Sequence, residues 1–246
     1  MEFLLTRGVA VTAQWSSEPL RRAVDRFRRD LEMTLNAGEL VPSGRIQLCL
    51  SRELSPEQYT IDLQGSDSMV IRAADDLAAV YALLYLSRTA LGVNPLWFWN
   101  DQKFEKRELV TVTARHIASK PVSVGLRGWD FSGGELLARW NAGAAGLNWE
   151  MTFEALLRLG GNFVCLPKGK PAALAADMGL WRLQPAGRPL EAADFSAACP
   201  GRPALFSARA GHWQKLWAAA AEQQKQEKLI WRIGLPEQGG GILPDL

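Results

Sequence analysis

Side chains able to do acid–base, nucleophilic or metal chemistry are sparse in this chain. There are two histidines, His116 and His212, too few for a His-rich metal site and a thin basis for a His-dependent triad. The three cysteines, Cys49, Cys165 and Cys199, stand far apart with no CxxC spacing, so neither a zinc site nor a disulfide framework is expected. The glycine pairs Gly133-Gly134 and Gly160-Gly161 lack the strand–GxGxxG–helix setting that cradles a phosphate, and no cofactor is expected. Tryptophan, by contrast, is plentiful: ten residues against three tyrosines, nine of them from Trp97 onward. An indole has a flat apolar face and one N–H donor, which serves core packing and stacking on sugar rings alike.

These residues must be positioned by 246 residues that are 48% hydrophobic and 22% charged, a composition able to bury a sizeable core. Net charge is +2, from 28 basic and 26 acidic side chains, which gives no electrostatic reason to expect nucleic acid or an anionic membrane. The apolar run from Ala78 to Leu86 is less than half a membrane span. Phe3, Leu4 and Leu5 between Glu2 and Arg7 are too short for the apolar region of a signal peptide. Together these features predict a soluble, metal-free, cytoplasmic chain.

The first half alternates strands and helices. Val9–Ala13 reads as a strand, and Ser16 or Ser17 ahead of Pro19 caps a helix whose apolar stripe is Leu20, Val24, Phe27, Leu31 and Leu35. Arg21, Arg22, Arg28 and Arg29, interleaved with Asp25 and Asp30, read as a solvated helix face. Arg45–Leu50, Gln58–Leu63 and Met69–Ala73 are strands, the last two joined by a Gly65-containing turn. A helix follows from Asp75 or Asp76 and stops at Gly92. Leu109–Thr113 is one more strand, and Lys120-Pro121 marks a boundary. The expected organisation is an N-terminal α/β sandwich-like domain over 1–118 and a second unit over 119–246.

In the second unit, strands at Val122–Arg127, Phe163–Leu166, Leu180–Leu183 and Leu229–Ile233 alternate with helices at Trp149–Leu159, Pro171–Met178 and Trp213–Lys228. Such alternation implies βαβ crossovers and a parallel sheet. Four strands make the first half of a (β/α)8 barrel, and the 127 residues from Lys120 fall well short of the roughly 250 a closed barrel takes. The expected fold class is therefore α/β, a sandwich-like domain followed by a partial TIM-type barrel.

Several segments, in order along the chain, carry a family pattern. They are Ala74-Asp75-Asp76-Leu77-Ala78-Ala79-Val80-Tyr81-Ala82-Leu83, Trp97-Phe98-Trp99-Asn100-Asp101, Arg127-Gly128-Trp129, Trp149-Glu150-Met151-Thr152-Phe153-Glu154-Ala155-Leu156-Leu157-Arg158, Gly160-Gly161-Asn162 and Ala175-Ala176-Asp177-Met178-Gly179-Leu180-Trp181. Over roughly 55–240 the chain resembles the front of glycoside hydrolase family 115, α-glucuronidases that remove glucuronic acid from xylan. The resemblance implies an α/β domain ahead of a barrel and an active site at the C-terminal ends of barrel strands. Hydrolysis there takes two carboxyl groups across the scissile bond.

At three of the four strand ends, the first, third and fourth, the family's polar residues are replaced. Ungapped counting from Arg127-Gly128-Trp129 puts Ser132, Gly133 and Gly134 where relatives carry Asn-Asp-Glu; Asp130 and Glu135 flank the gap. A shift of two or three positions on a strand moves a side chain by about 7–10 Å. After the third strand, Gln184-Pro185-Ala186-Gly187-Arg188-Pro189-Leu190 replaces a histidine run and a glutamate, and Arg188 becomes a candidate grip on a uronate carboxylate. After the fourth, Gly234-Leu235-Pro236-Glu237-Gln238-Gly239-Gly240 lacks the family's arginine and aspartate.

The catalytic candidates that survive are Glu135 and Glu237, and the substrate-binding candidates are Trp97, Trp99, Arg127, Trp129, Arg188 and Gln238. Scaffold residues match while residues that would do chemistry do not. A truncated, catalytically impaired family relative is the resulting expectation, with a non-catalytic glycan- or protein-binding relative as the alternative. The implied partner is a uronic-acid-containing glycan, and the open barrel edge offers a route to self-association.

Overall fold

Two short strands open the chain, β1 (Phe3–Leu5) and β2 (Ala10–Ala13). The helix α1 (Glu18–Thr34) starts where Ser17 accepts the backbone N–H of Leu20 and Pro19 occupies the first turn, which satisfies an otherwise orphaned donor. Its buried side includes Leu20, Phe27 and Leu31, each contributing about 1.5–3 kcal/mol by leaving water. Strands β3 (Arg45–Leu50), β4 (Tyr59–Leu63) and β5 (Ser68–Ala73) follow, then α2 (Asp76–Thr89), capped by Asp75 through the Ala78 N–H. Beyond it Gly92 takes a left-handed conformation at φ 77°, open to glycine at little cost. β6 (Val110–Val112) and β7 (His116–Ala118) complete the first half.

These strands form a mixed sheet in the order β2-β3-β5-β4-β7 and a separate antiparallel pair, β1 with β6. Ile46, Leu48, Ile61, Met69 and Ile71 are fully buried on one face of the larger sheet, under the apolar sides of α1 and α2. Arg72, Asp62 and His116 lie on its other face, where the Asp62 carboxylate pairs with both. The structure, a computed structural model, describes residues 2–37, 44–132, 137, 140, 144, 146–166, 171–183, 199–201 and 206–231.

The second half holds β8 (Gly128–Asp130), α3 (Leu147–Arg158), β9 (Phe163–Cys165), α4 (Ala172–Asp177), β10 (Trp181–Leu183), α5 (Phe206–Gln224) and β11 (Leu229–Ile230). Strands β8, β9, β10 and β11 pair in sequence order, every neighbour parallel. Helices between successive parallel strands are what a (β/α) barrel front requires, so the chain is an α/β protein with a partial barrel. The core runs through both halves: Trp149, Phe153, Leu156 and Val164 belong to one cluster with Phe27, Leu77 and Val80.

The structure moves one expected strand. Residues 122–127 were the predicted strand, yet pairing begins at Gly128 opposite Phe163, and Val122, Val124 and Leu126 are exposed. Ahead of Phe163 a side chain takes up part of the pairing: the Arg127 carbonyl accepts the backbone N–H groups of Asn162 and Phe163, while the Asn162 side chain accepts the Arg127 N–H and donates to the Gly125 carbonyl. The long last helix begins at Phe206, upstream of the predicted Trp213.

Candidate functional site

The parallel sheet brings Asp130, Cys165, Leu183 and Ile230 into one registered row at its C-terminal edge. This is the edge on which barrels of this type carry their chemistry. Asp130 is exposed, and its Oδ1 accepts the Ser132 N–H at 2.7 Å, a local turn that fixes where the carboxylate leaves the strand. It is the one acid in that row. Among the described residues no group of three or more His, Cys, Asp or Glu could hold a metal ion.

One position back, Trp129 pairs with Val164 and is half-buried. Its ring meets Phe131 edge-on at 6.0 Å, Phe131 meets Trp149 at 5.7 Å, and Trp149 tilts against Phe153 at 5.8 Å. The side chain at the strand edge is thereby continuous with the core.

Arg127 stands at the opposite, N-terminal end of β8. Its guanidinium donates to the carbonyls of Gly160 at 2.8 Å and Val124 at 2.7 Å and pairs with the Glu57 carboxylate. Glu57 also accepts from Asn162 at 2.7 Å and holds a φ of 64°. Such a left-handed conformation is unfavourable away from glycine and persists only when its surroundings fix it. Tyr81 donates to Gly161 at 2.9 Å beside this group, and burial pushes its phenol well above the usual range. Arg127 thus clamps the first half onto the barrel strands.

Trp97 and Trp99 come from the loop after α2. The Trp97 indole donates to Glu154 at 2.9 Å and lies under the Arg29 guanidinium, 4.9 Å from the ring centre, a cation–π geometry. Glu154 also takes Arg29 at 2.6 Å and Arg158 at 2.8 Å, and Arg158 reaches Asp30 at 2.6 Å. Burial pushes the Glu154 carboxyl up, but its arginine partners, Arg29 foremost, outweigh that and hold it at about 2. The arginine face read as solvated is therefore partly interior. Arg26 is 4% exposed, all three of its guanidinium nitrogens lack an acceptor, and burial pulls it down to about 10.

Trp99 is 38% exposed and stacks on Trp140, 43% exposed, with ring centres 4.9 Å apart and planes at 29°. Trp140 was missed as a candidate; the excess of tryptophan was its only sequence signal. Glu135, Arg188, Glu237 and Gln238 lie outside the described residues. The structure thus brings Trp97 and Trp99 onto α3, puts Trp129 beside the C-terminal edge, and places Arg127 at the far end of the same strand.

The chain is an α/β protein with a partial barrel, a fold it shares with glycoside hydrolases of known structure. Among solved structures the chain is similar, over 99% of its length, to a family GH115 4-O-methyl-α-glucuronidase with specificity for decorated arabinogalactans (TM-score 0.68, 18% identity). It is also similar to a Streptomyces plicatus β-hexosaminidase variant in complex with N-acetylglucosamine (TM-score 0.51, 16% identity, 74% of this chain and 42% of that one). A Vibrio harveyi GH20 exo-β-N-acetylglucosaminidase matches 74% of this chain and 33% of its own, with TM-score 0.50 and 10% identity. The chain spans 38% of the length of the GH115 enzyme. No family model and no curated protein matches the sequence.

Proposed function

We propose that the chain is a relative of the family 115 α-glucuronidases that binds a uronic-acid-bearing glycan without completing its hydrolysis. The observation that carries this reading is the C-terminal row of Asp130, Cys165, Leu183 and Ile230. Among the described residues of that row one carboxylate stands, whereas cofactor-free cleavage of a glycosidic bond needs an acid and a base or nucleophile facing each other across it. The similarity to a GH115 enzyme along almost the whole chain supports the choice of a carbohydrate as the ligand.

On this reading the first half, residues 1–118, is the support, and residues 119–246 carry the glycan face. Glu135, Arg188, Glu237 and Gln238 remain the candidates on the strand-end loops. The wide spacing of the three cysteines suits a reducing cytoplasm, and no described helix is long and apolar enough to cross a membrane. The end strands β8 and β11 offer a second copy of the chain an edge to pair with. Neither nucleic acid nor a cofactor enters the account.

The test is release of glucuronic acid from glucuronoxylan fragments by the purified, folded chain, beside a family 115 enzyme as positive control. The expected result is no release from the chain. Release that follows the protein through purification and falls in a Glu135→Gln or Glu237→Gln variant would replace this reading with an active hydrolase.

A further inference from the structure

The loop after α2 carries two features that the strand-end face does not use. One is the stacked pair Trp99–Trp140. Trp140 belongs to the connection from β8 to α3, the one leaving the C-terminal edge, and Trp99 donates its indole N–H to the Met151 carbonyl of α3 at 3.4 Å. Phe98 meets both rings edge-on, at 5.6 and 5.9 Å, and the Trp140 carbonyl accepts from Asn148 at 3.2 Å. Two large indoles are therefore fixed in orientation with more than a third of each still in water.

The second feature is a cleft of about 460 Å³ against the same loop, lined by Arg88, Asn94, Gln102 and Asn100, the residue after Trp99, among others. Its size falls in the range of small-ligand sites. The loop is braced from within: Gln102 accepts the Asn94 N–H at 2.8 Å and donates to the Gly92 carbonyl at 2.9 Å. Asn100, with its amide turned to satisfy both groups, donates to the carbonyls of Leu96 and Trp97 at 3.0 Å. Among the described residues the cleft lining holds one charge, the Arg88 guanidinium, and no carboxylate.

We propose that Trp99, Trp140 and the Arg88 cleft form a glycan-binding site separate from the strand-end row, one that takes a sugar chain bearing a carboxylate. The indole pair offers a flat apolar surface to a pyranose face, and Arg88, with no carboxylate among the described residues lining the cleft, takes the carboxylate through a charge-assisted pair. The bracing hydrogen bonds fix the loop before the ligand arrives, which lowers the ordering cost of binding. This inference rests on the carbohydrate reading above but assigns recognition to different residues.

The test is titration of the full chain with a glucuronic-acid-decorated xylo-oligosaccharide and with the undecorated one, using wild type, Trp99→Ala, Trp140→Ala and Arg88→Gln, each checked for an intact thermal transition. Either tryptophan variant is expected to weaken both ligands by about tenfold or more, and Arg88→Gln to weaken only the decorated one by about tenfold. Should the tryptophan variants unfold, exposed Arg88 still decides: an unchanged preference for the decorated sugar in Arg88→Gln overturns the site. Wild-type affinity in all three variants overturns it while leaving the carbohydrate reading standing. No binding of either sugar by wild type overturns both.

Discussion

Arg158 of α3 donates to Asp30 of α1 across 2.6 Å, with both side chains almost wholly removed from water. The pair is tied through Glu154 to Arg29 and Trp97, so the helix that follows β8 is anchored to the first helix of the chain. The orientation of the barrel strands is thereby set by a buried polar seam as well as by the shared core. Arg158→Met leaves Asp30 and Glu154 short of a partner in the interior and is expected to lower stability by about 3–5 kcal/mol. Urea unfolding of the two proteins measures the difference.

Arg26 sits in the same seam without an acceptor for any guanidinium nitrogen. A buried charge with no hydrogen bonds carries a desolvation cost that only the more distant pull of nearby carboxylates opposes. Arg26→Met keeps the aliphatic volume and removes the charge, so the midpoint of unfolding is expected to rise, by about 1 kcal/mol or more. A fall in the midpoint would mean that the pull of Glu154 and Glu150 on Arg26 outweighs its burial.

Acid should loosen the seam in a defined window. The Glu154 carboxyl is held at about 2 against roughly 4.3 in an unfolded chain. A depressed folded value means that its contribution is fully present above the unfolded value and is lost as pH falls toward 2. The urea midpoint measured from about pH 5 downward is expected to fall, and Glu154→Gln to flatten that fall.

Much of the first half was legible because its signals are local. Arg45–Leu50 alternates in and out through Leu48, and Ser17 and Asp75 sit one residue ahead of the helices they cap. The three-residue strands β1 and β7 were not legible, since they exist through partners Val110–Val112 and Thr60–Asp62 far along the chain. The same holds for the arginines of α1: Arg29 finds Glu154 across 125 residues, which no periodicity reveals. Alternating Val122, Val124 and Leu126 pointed to a strand, but Asn162 intercepts the backbone at Gly125 and Arg127. Of the site, Trp129 stands in the Arg-Gly-Trp motif and Asp130 only flanks the gap that follows it, so the motif did not single Asp130 out as a candidate, whereas Trp140 depends on a stacking contact across the fold.

Gly128 opens the β8–β9 ladder because nothing larger fits. A Cβ there would stand 1.9 Å from the Phe163 carbonyl oxygen, while one at Gly125 meets nothing within 4 Å. Gly128→Ala is expected to lower stability by about 2 kcal/mol or more, and Gly125→Ala to change it by about 0.5 kcal/mol at most. Thermal melts of the two variants side by side provide the comparison.

The central claim, binding of an acidic glycan without turnover, is tested most directly by calorimetric titration of the chain with a glucuronic-acid-decorated xylo-oligosaccharide. The account predicts heat that saturates with added ligand and then ceases. A steady heat flow that persists after saturation and scales with protein would signify turnover, and no ligand-dependent heat would signify no binding; either result would contradict it.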